Sequence, residues 1–245
     1  MAIIKDRKND QEQREEALRK LTAQYTVQKN TSAITQLVEN IQELAPSSSK
    51  IYIAKLLKVI LDEVGEKDNE DKDVENEVSF HILRWAEKEK KQFLINKMKL
   101  HYANVLYQRK EFRKSRVEVK EVLESAKKID DKRLSVEAHL LESKLIYETH
   151  NFAKAKASLT ASRASANLIH IPQVLQADIE FTAGIIHLAE RDFQIAYSYF
   201  YEAFEAYHQS KLQRQASQIF AYMVLSKIMQ DALGEAENLL TGRYG

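Results

Sequence analysis

Several residue types that define common protein classes are missing or scarce in this chain. Its 245 residues contain no cysteine, two prolines and five glycines. The lack of cysteine excludes disulfides, thiolate metal sites and cysteine nucleophiles. The scarcity of glycine and proline disfavours a many-stranded fold and favours long helices joined by short loops.

Long apolar runs and a strong charge excess are missing as well. The start, MAIIKDRKND, has no apolar core of a signal peptide, and nowhere do 18 apolar residues follow one another. The formal net charge of +1 does not by itself indicate a polyanionic partner. Hydrophobic residues make up 44% of the chain, enough for a sizeable core. These features predict a cytoplasmic or nuclear protein that does not contact a membrane.

Catalytic and cofactor-binding motifs are also missing. The sequence contains no HExxH, P-loop, GxGxxG or GxSxG. Its seven histidines are scattered, and pairs such as His139 with Glu142 or His187 with Glu190 are common in helical chains. The sequence therefore predicts that the protein is not an enzyme and has no catalytic, cofactor-binding or metal-binding residues.

One acidic segment invites comparison with a calcium loop. Residues 62–77, DEVGEKDNEDKDVENE, carry nine acidic residues and two lysines. Asp71, Asp73 and Glu75 have the spacing that opens an EF-hand loop. However, Asn76 stands where that loop requires glycine, and no ordered series of ligands follows. We expect a solvated acidic turn.

A repeat of about forty residues organises the middle of the chain. Phe112, Phe152 and Phe193 each follow a polar segment, and each is followed three positions later by a small residue. The polar segments are QRKE, ETHN and AERD, in which Asn151 and Asp192 are suitable helix N-caps. The flanking apolar residues follow helical spacing. Each repeat is therefore predicted to be a helix, a turn and a second helix.

These repeats predict an all-α fold. A single helical hairpin cannot bury its own apolar face, so neighbouring hairpins must stack. We expect a right-handed α-solenoid of about six TPR-like hairpins, forming one domain over residues 1–245. The pattern is clear over residues 80–230 and weak over residues 1–70.

Aromatic residues are concentrated in YSYFYEAFEAYHQ, residues 197–209. Placed on a helix, Phe193, Tyr197, Phe204 and Tyr207 lie within about 60° of Phe200. A base-stacking surface would interleave such rings with arginine and lysine, and residues 192–210 contain neither. We therefore predict a structural core that comprises Phe112, Phe152, Phe193, Phe200, Phe204 and Tyr207.

Positive charge is concentrated between Arg84 and Arg163, where 20 lysines and arginines accompany 11 acidic residues. The densest part lies around one predicted turn, and we name it the basic ridge: Arg109, Lys110, Arg113, Lys114 and Arg116. Three interpretations remain open, namely a solvated face, a contact with an acidic protein and sequence-independent binding of nucleic acid. Of these interpretations a solvated face is favoured, contact with an acidic protein comes second, and binding of nucleic acid is the least favoured.

Three stretches resemble a known family: ILRWAEKEKKQFL (82–94), LLESKLIYETHNFAKAKASLTASRASAN (140–167) and QADIEFTAGIIHLAERDFQIAYSYFYEAFEAY (176–207). They resemble the N-terminal solenoid of PCI-family, non-ATPase lid subunits of the 26S proteasome. This resemblance implies a non-catalytic scaffold that braces the lid against the α-ring of the core particle and the ATPase ring. It also implies contacts with other lid subunits.

One departure and two alternatives accompany this resemblance. After LLTGRYG no winged-helix segment of a PCI domain follows, so we expect that portion to be absent. The apolar helix face of ALGEAENLL (232–240) then lacks a following repeat, which predicts weak self-association through this end. The alternatives are the paralogous scaffold subunit of the signalosome and a free-standing TPR-like adaptor that binds peptides.

Overall fold

Helices account for nearly all of the chain that is described here. The structure is a computed structural model that describes residues 11–28, 30–41, 50–66, 72–88, 90 and 92–242. Over these residues it contains twelve α-helices and no β-strand. The helices are α1 (Gln11–Val27), α2 (Thr31–Glu39), α3 (Lys50–Glu66), α4 (Lys72–Lys88), α5 (Gln92–Gln108), α6 (Phe112–Ile129), α7 (Lys132–Tyr147), α8 (Phe152–Ala166), α9 (Gln173–Ala189), α10 (Phe193–Gln209), α11 (Gln213–Met229) and α12 (Leu233–Thr241). The prediction of an all-α fold with about six hairpins is confirmed.

The helices start at a nearly constant interval. From α4 onward each helix begins twenty residues after the previous one, except that α9 begins twenty-one residues after α8. The forty-residue repeat of the sequence is therefore a pair of twenty-residue steps. The sequence also predicts a loop at APSSSK (45–50), and this segment falls almost entirely outside the described residues.

The turns between helices use the left-handed backbone conformation without glycine. Among the described residues, seven that are not glycine have positive φ, between 51° and 67°, and consecutive members lie twenty residues apart except for one step of forty-one. They are Lys90, Lys110, Asp130, His150, Arg191, Lys211 and Asp231. In several of these turns the next residue donates its N–H to a carbonyl five residues back, as Glu111 does to Leu106 at 2.9 Å. This bond is typical of the Schellman motif, in which glycine is the usual left-handed residue.

Side-chain caps begin some of the helices. The side chain of Asn151 accepts from the backbone N–H of Lys154, and that of Asp131 accepts from the N–H of Leu134. Asp192 stands at the N-cap position of α10 but makes no side-chain capping bond. Asn151 therefore caps its helix as predicted. Asp192 occupies the predicted N-cap position, but its side chain does not cap the helix.

The chain divides into two compact units, residues 1–118 and 119–245, with the boundary inside α6. In the first unit α1 packs against α3, α2 against α4, and α4 against α5. Its core includes Ile34, Leu57, Ile60 and Ile82, all fully buried. Within this unit the Oγ of Ser115 donates to the carbonyl of Ala103 at 2.6 Å and so joins α6 to α5.

In the second unit consecutive helices pack in antiparallel pairs, α7 with α8, α9 with α10, and α10 with α11. The Oγ of Ser143 donates to the carbonyl of Ala155 at 2.8 Å, and the Oγ of Ser162 donates to that of Val136 at 2.9 Å. Both bonds tie α7 to α8. This stacking of hairpins is the pattern of an α-solenoid.

Candidate interaction surface

The aromatic run of α10 belongs mainly to the core of the second unit. Phe200, Phe204 and Tyr207 are buried in one cluster with Ile219 and Met223 of α11. Each such side chain stabilises the fold by roughly 1.5–3 kcal/mol through burial. The run therefore holds α10 against α11.

The aromatic residues that open the repeats are less buried than those inside α10. Phe112, Phe152 and Phe193 are half-buried. Phe112 packs against Tyr107 with ring centroids 5.8 Å apart, and Phe152 packs against Tyr147 at 5.6 Å. The rings of Phe112 and Phe152 therefore join the end of one helix to the start of the next, and they stay partly exposed.

A polar network lies within the second unit, and sequence reasoning missed it. Glu180 of α9 is 8% exposed and accepts from the guanidinium of Arg163 and from the amide of Gln176. Arg163 of α8 also donates to the hydroxyl of Tyr199 on α10 at 3.2 Å and lies over that ring. A buried carboxylate needs such partners. Gln176 is a local partner on α9 itself, but Arg163 and Tyr199 come from α8 and α10, so no local sequence pattern marks the whole network.

The hydroxyl of Tyr207 donates to the carboxylate of Asp178, which links α10 to α9. Burial, and then the adjacent Asp178 charge, raise the pKa of Tyr207 above its usual range. This tyrosine therefore stays neutral and acts as a structural donor.

In the described part of the chain, one group of metal-ligating residue types comes together at the turn between α9 and α10. The ligand atoms of His187, Glu190 and Asp192 lie within 4.8 Å of one another. However, the ammonium of Lys156 binds Glu190, and the ring of His187 stacks on Tyr199 with centroids 5.4 Å apart. These contacts explain the cluster as packing between α8, α9 and α10.

The basic ridge lies around the turn between α5 and α6, inside the first unit. Lys110, Arg113, Lys114 and Arg116 are exposed, and Arg109 is half-buried. The left-handed conformation of Lys110, with φ 62°, closes the turn. The five residues therefore share one end of the α5–α6 hairpin, as expected.

Two of the five cations are held by acidic side chains of the same unit. Arg109 donates through Nη1 to Asp73 of α4 and through Nε to Glu111 at 3.0 Å. Lys114 donates to the other oxygen of Glu111 at 2.7 Å. These bonds raise the pKa of Arg109 and of Lys114 and lower the pKa of Glu111.

The other three cations of the basic ridge are Lys110, Arg113 and Arg116. Within the part of the chain that the structure describes, none of the three forms an ion pair. The guanidinium groups of two of them offer a planar array of donors that matches a carboxylate. The charge available to a partner therefore lies on these three residues.

The acidic segment 62–77 lies partly outside the described residues, which exclude 67–71. Its described parts are residues 62–66, which end α3, and residues 72–77, which begin α4 and include Asp73, the partner of Arg109. Sequence reasoning missed this pair, although the period contains the signal: α4 and α6 begin forty residues apart. Part of the acidic segment thus neutralises part of the basic ridge.

Over the residues described, no helix has the length and apolarity needed to cross a membrane.

The sequence of this chain is similar to those of known proteins. Residues 2–110 match the family model of the 26S proteasome regulatory subunit RPN6 N-terminal domain. The chain is also 35% identical over 243 residues to the probable 26S proteasome regulatory subunit rpn6 of Schizosaccharomyces pombe, which is 99% of this chain and 57% of that protein. The resemblance to Rpn6 subunits thus extends over nearly the whole of this chain. The match to the family model includes residues 2–70, the part of the chain in which only the helical pattern of the sequence supports the resemblance.

Other relatives agree. RPN6 of Saccharomyces cerevisiae is 32% identical over 97% of this chain and 55% of its own length. The 26S proteasome non-ATPase regulatory subunit 11 homolog of Arabidopsis thaliana is 30% identical over 95% of this chain and 55% of its own length. The chain therefore spans little more than half the length of the Rpn6 relatives that it matches.

Proposed function

We propose that this chain is a non-catalytic scaffold of the regulatory particle of the 26S proteasome. Its similarity to Rpn6 subunits over nearly its whole length carries this proposal. In this role it braces the lid against the α-ring of the core particle and the ATPase ring, and contacts other lid subunits. It supports ubiquitin-dependent protein degradation in the cytoplasm and the nucleus.

The architecture suits a scaffold because stacked helical hairpins present extended surfaces on a packed frame. Their turns carry many of the exposed charges, including Lys110 and Arg191, while the apolar residues hold the helices together. A partner can therefore bind at the turns without disturbing the core.

The basic ridge is the proposed contact with an acidic surface of the proteasome. Arg113 and Arg116 are exposed on the first turns of α6 and form no ion pair among the described residues. An acidic surface would gain charge-assisted hydrogen bonds from them, and opposite charges also speed association at low salt.

The test measures, by co-sedimentation, the binding of the whole 245-residue chain to purified core particle and to purified 26S proteasome. Replacing Arg113→Glu and Arg116→Glu together should weaken binding by about tenfold or more, since each exposed ion pair contributes up to about 1 kcal/mol and reversal adds repulsion. The thermal unfolding of the variant should stay close to that of the parent chain, because both side chains are exposed.

A double variant of equal charge change, Lys154→Glu with Arg191→Glu, serves as the control. Both of its residues are exposed, and they lie in the second unit. Equal loss in the two variants would indicate a general charge effect and remove the basic ridge as a contact. Failure of the parent chain to co-sediment with either particle would refute the scaffold function itself.

A further inference from the structure

The turn between α8 and α9 is the one place where the twenty-residue step of helices α4–α12 changes. Six residues, 167–172, join these helices, and they contain the one extra residue of the step. The backbone N–H of Ile169 donates to the carbonyl of Ala166 at 3.2 Å. The side chains of Ile169 and Ile171 pack against the core of α7–α9. The loop is therefore anchored, yet its Leu168 side chain is 68% exposed.

Two more apolar side chains are exposed near the same edge of the second unit. Ile129, the last residue of α6, is 47% exposed, and Val174 in the first turn of α9 is 36% exposed. Because the consecutive helices α7 to α11 pack antiparallel, the turns at 167–172 and 210–212 emerge at the end of the unit where α7 begins, and Ile129 lies three residues before α7. We name Ile129, Leu168 and Val174 the apolar edge.

Three lysines lie in or next to the turns of this edge. Lys127 and Lys128 precede Ile129 on α6, and Lys211 stands in the turn between α10 and α11. All three are exposed, and in the described ranges none of them has an ion-pair partner. Their charges are available to a ligand.

Two of the acidic residues nearest in sequence to these cations are already engaged, while Glu124, one turn earlier on α6, forms no ion pair among the described residues. Asp130 binds Lys132 at 2.5 Å, and Asp131 caps α7 by accepting from the backbone N–H of Leu134 at 3.0 Å. This edge therefore combines exposed apolar area with positive charge that the neighbouring acids do not neutralise.

We propose that the apolar edge, with Lys127, Lys128 and Lys211, is a docking surface for an acidic segment of another protein that carries large apolar side chains. The apolar side chains of the segment cover Leu168 and its neighbours, and its carboxylates bind the lysines. Charge complementarity selects this occupant, because a purely apolar segment would leave the lysines unused. The proposal concerns the second unit and does not depend on the basic ridge or on the proteasome.

The test uses the whole 245-residue chain and a fluorescein-labelled synthetic peptide of repeating Glu-Asp-Leu, with binding followed by fluorescence anisotropy. Saturable binding is expected. The change Leu168→Ser should weaken it about fivefold, and Lys127→Glu with Lys128→Glu about tenfold, which correspond to losses of about 1 and about 1.4 kcal/mol. Because the altered side chains are exposed, circular dichroism should show unchanged unfolding.

Two matched variants serve as controls, and both should bind the peptide as the parent does. Leu240→Ser removes another exposed leucine, 54% exposed and on α12. Arg113→Glu with Arg116→Glu reverses two charges in the basic ridge. Loss of binding in either control to the same extent as in its counterpart would refute a specific surface. No saturable peptide binding, or binding to vesicles of anionic phospholipid in its place, would overturn the proposal as well.

Discussion

Gly184 of α9 lies against the ring of Phe200 on α10, and replacing it by alanine should destabilise the second unit. A Cβ atom at this position would lie 2.5 Å from Cε1, 2.6 Å from Cδ1 and 3.0 Å from Cζ of that ring. Carbon atoms in contact prefer about 3.5–4.0 Å, so the ring would have to move by about 1 Å.

The ring of Phe200 has little room to move. Its side chain is fully buried, with the ring of Tyr222 stacked at 5.4 Å and that of Phe181 at 5.9 Å. Overpacking of such a core costs about 1–3 kcal/mol, and a displacement this large belongs at the upper end. Alanine regains about 1 kcal/mol of helix propensity. The net expectation for Gly184→Ala is a loss of about 1–2 kcal/mol.

The assay is unfolding of the whole chain in urea, followed by circular dichroism, with Gly234→Ala as the matched control. Gly234 is an exposed glycine in the first turn of α12, and a Cβ there would meet nothing within 4 Å. That control should be neutral or stabilising by less than about 1 kcal/mol. A second background, Phe200→Leu, removes the ring, so Gly184→Ala should cost little there. If Gly184→Ala stabilises the chain as the control does, or costs the same in both backgrounds, the reasoning is wrong.

Two further predictions concern acid stability and self-association. Burial, and then the charge of Lys58, lower the pKa of His101 to about 4, and its Nε2 is buried without a hydrogen-bond partner among the described residues. In the unfolded chain this histidine takes up its proton near pH 6.5, so the free energy of unfolding should decrease by up to about 1.4 kcal/mol per pH unit as the pH falls from 6.5 to 4. The variant His101→Gln should flatten the dependence of the urea midpoint on pH. An equal slope in both proteins would disprove the assignment. Leu225, Met229 and Leu233, in α11 and α12, are 42%, 51% and 65% exposed, so weak self-association should appear in sedimentation velocity at high concentration and decrease with Leu233→Glu. A strict monomer throughout would contradict it.

The helical repeat could be predicted from the sequence because its signals are local. The recurrence of Phe112, Phe152 and Phe193, with polar segments before them, is enough to place the hairpins between residues 80 and 230. The concentration of aromatics in α10 likewise predicts its core face, since helical geometry alone brings Phe200, Phe204 and Tyr207 together.

The parts that could not be predicted depend on packing between distant segments or on an unusual choice of residue. Arg109 reads as a free member of the basic ridge until Asp73, 36 residues earlier, is placed beside it. The half-burial of Phe112 follows from its place at the end of a hairpin, which periodicity does not register. The left-handed turns lack the glycine that normally reveals them, so the twenty-residue step is visible only from the backbone.

The constant step between helix starts also constrains how the gene of such a protein can change in length. Each residue added inside a helix rotates every later side chain of that helix by 100°, which would turn buried positions toward water. An insertion or deletion is therefore tolerated mainly in a turn, where it does not change which side chains of the helices are buried. The turn at 167–172 already holds one extra residue, so we expect natural length variation among homologous chains to concentrate there.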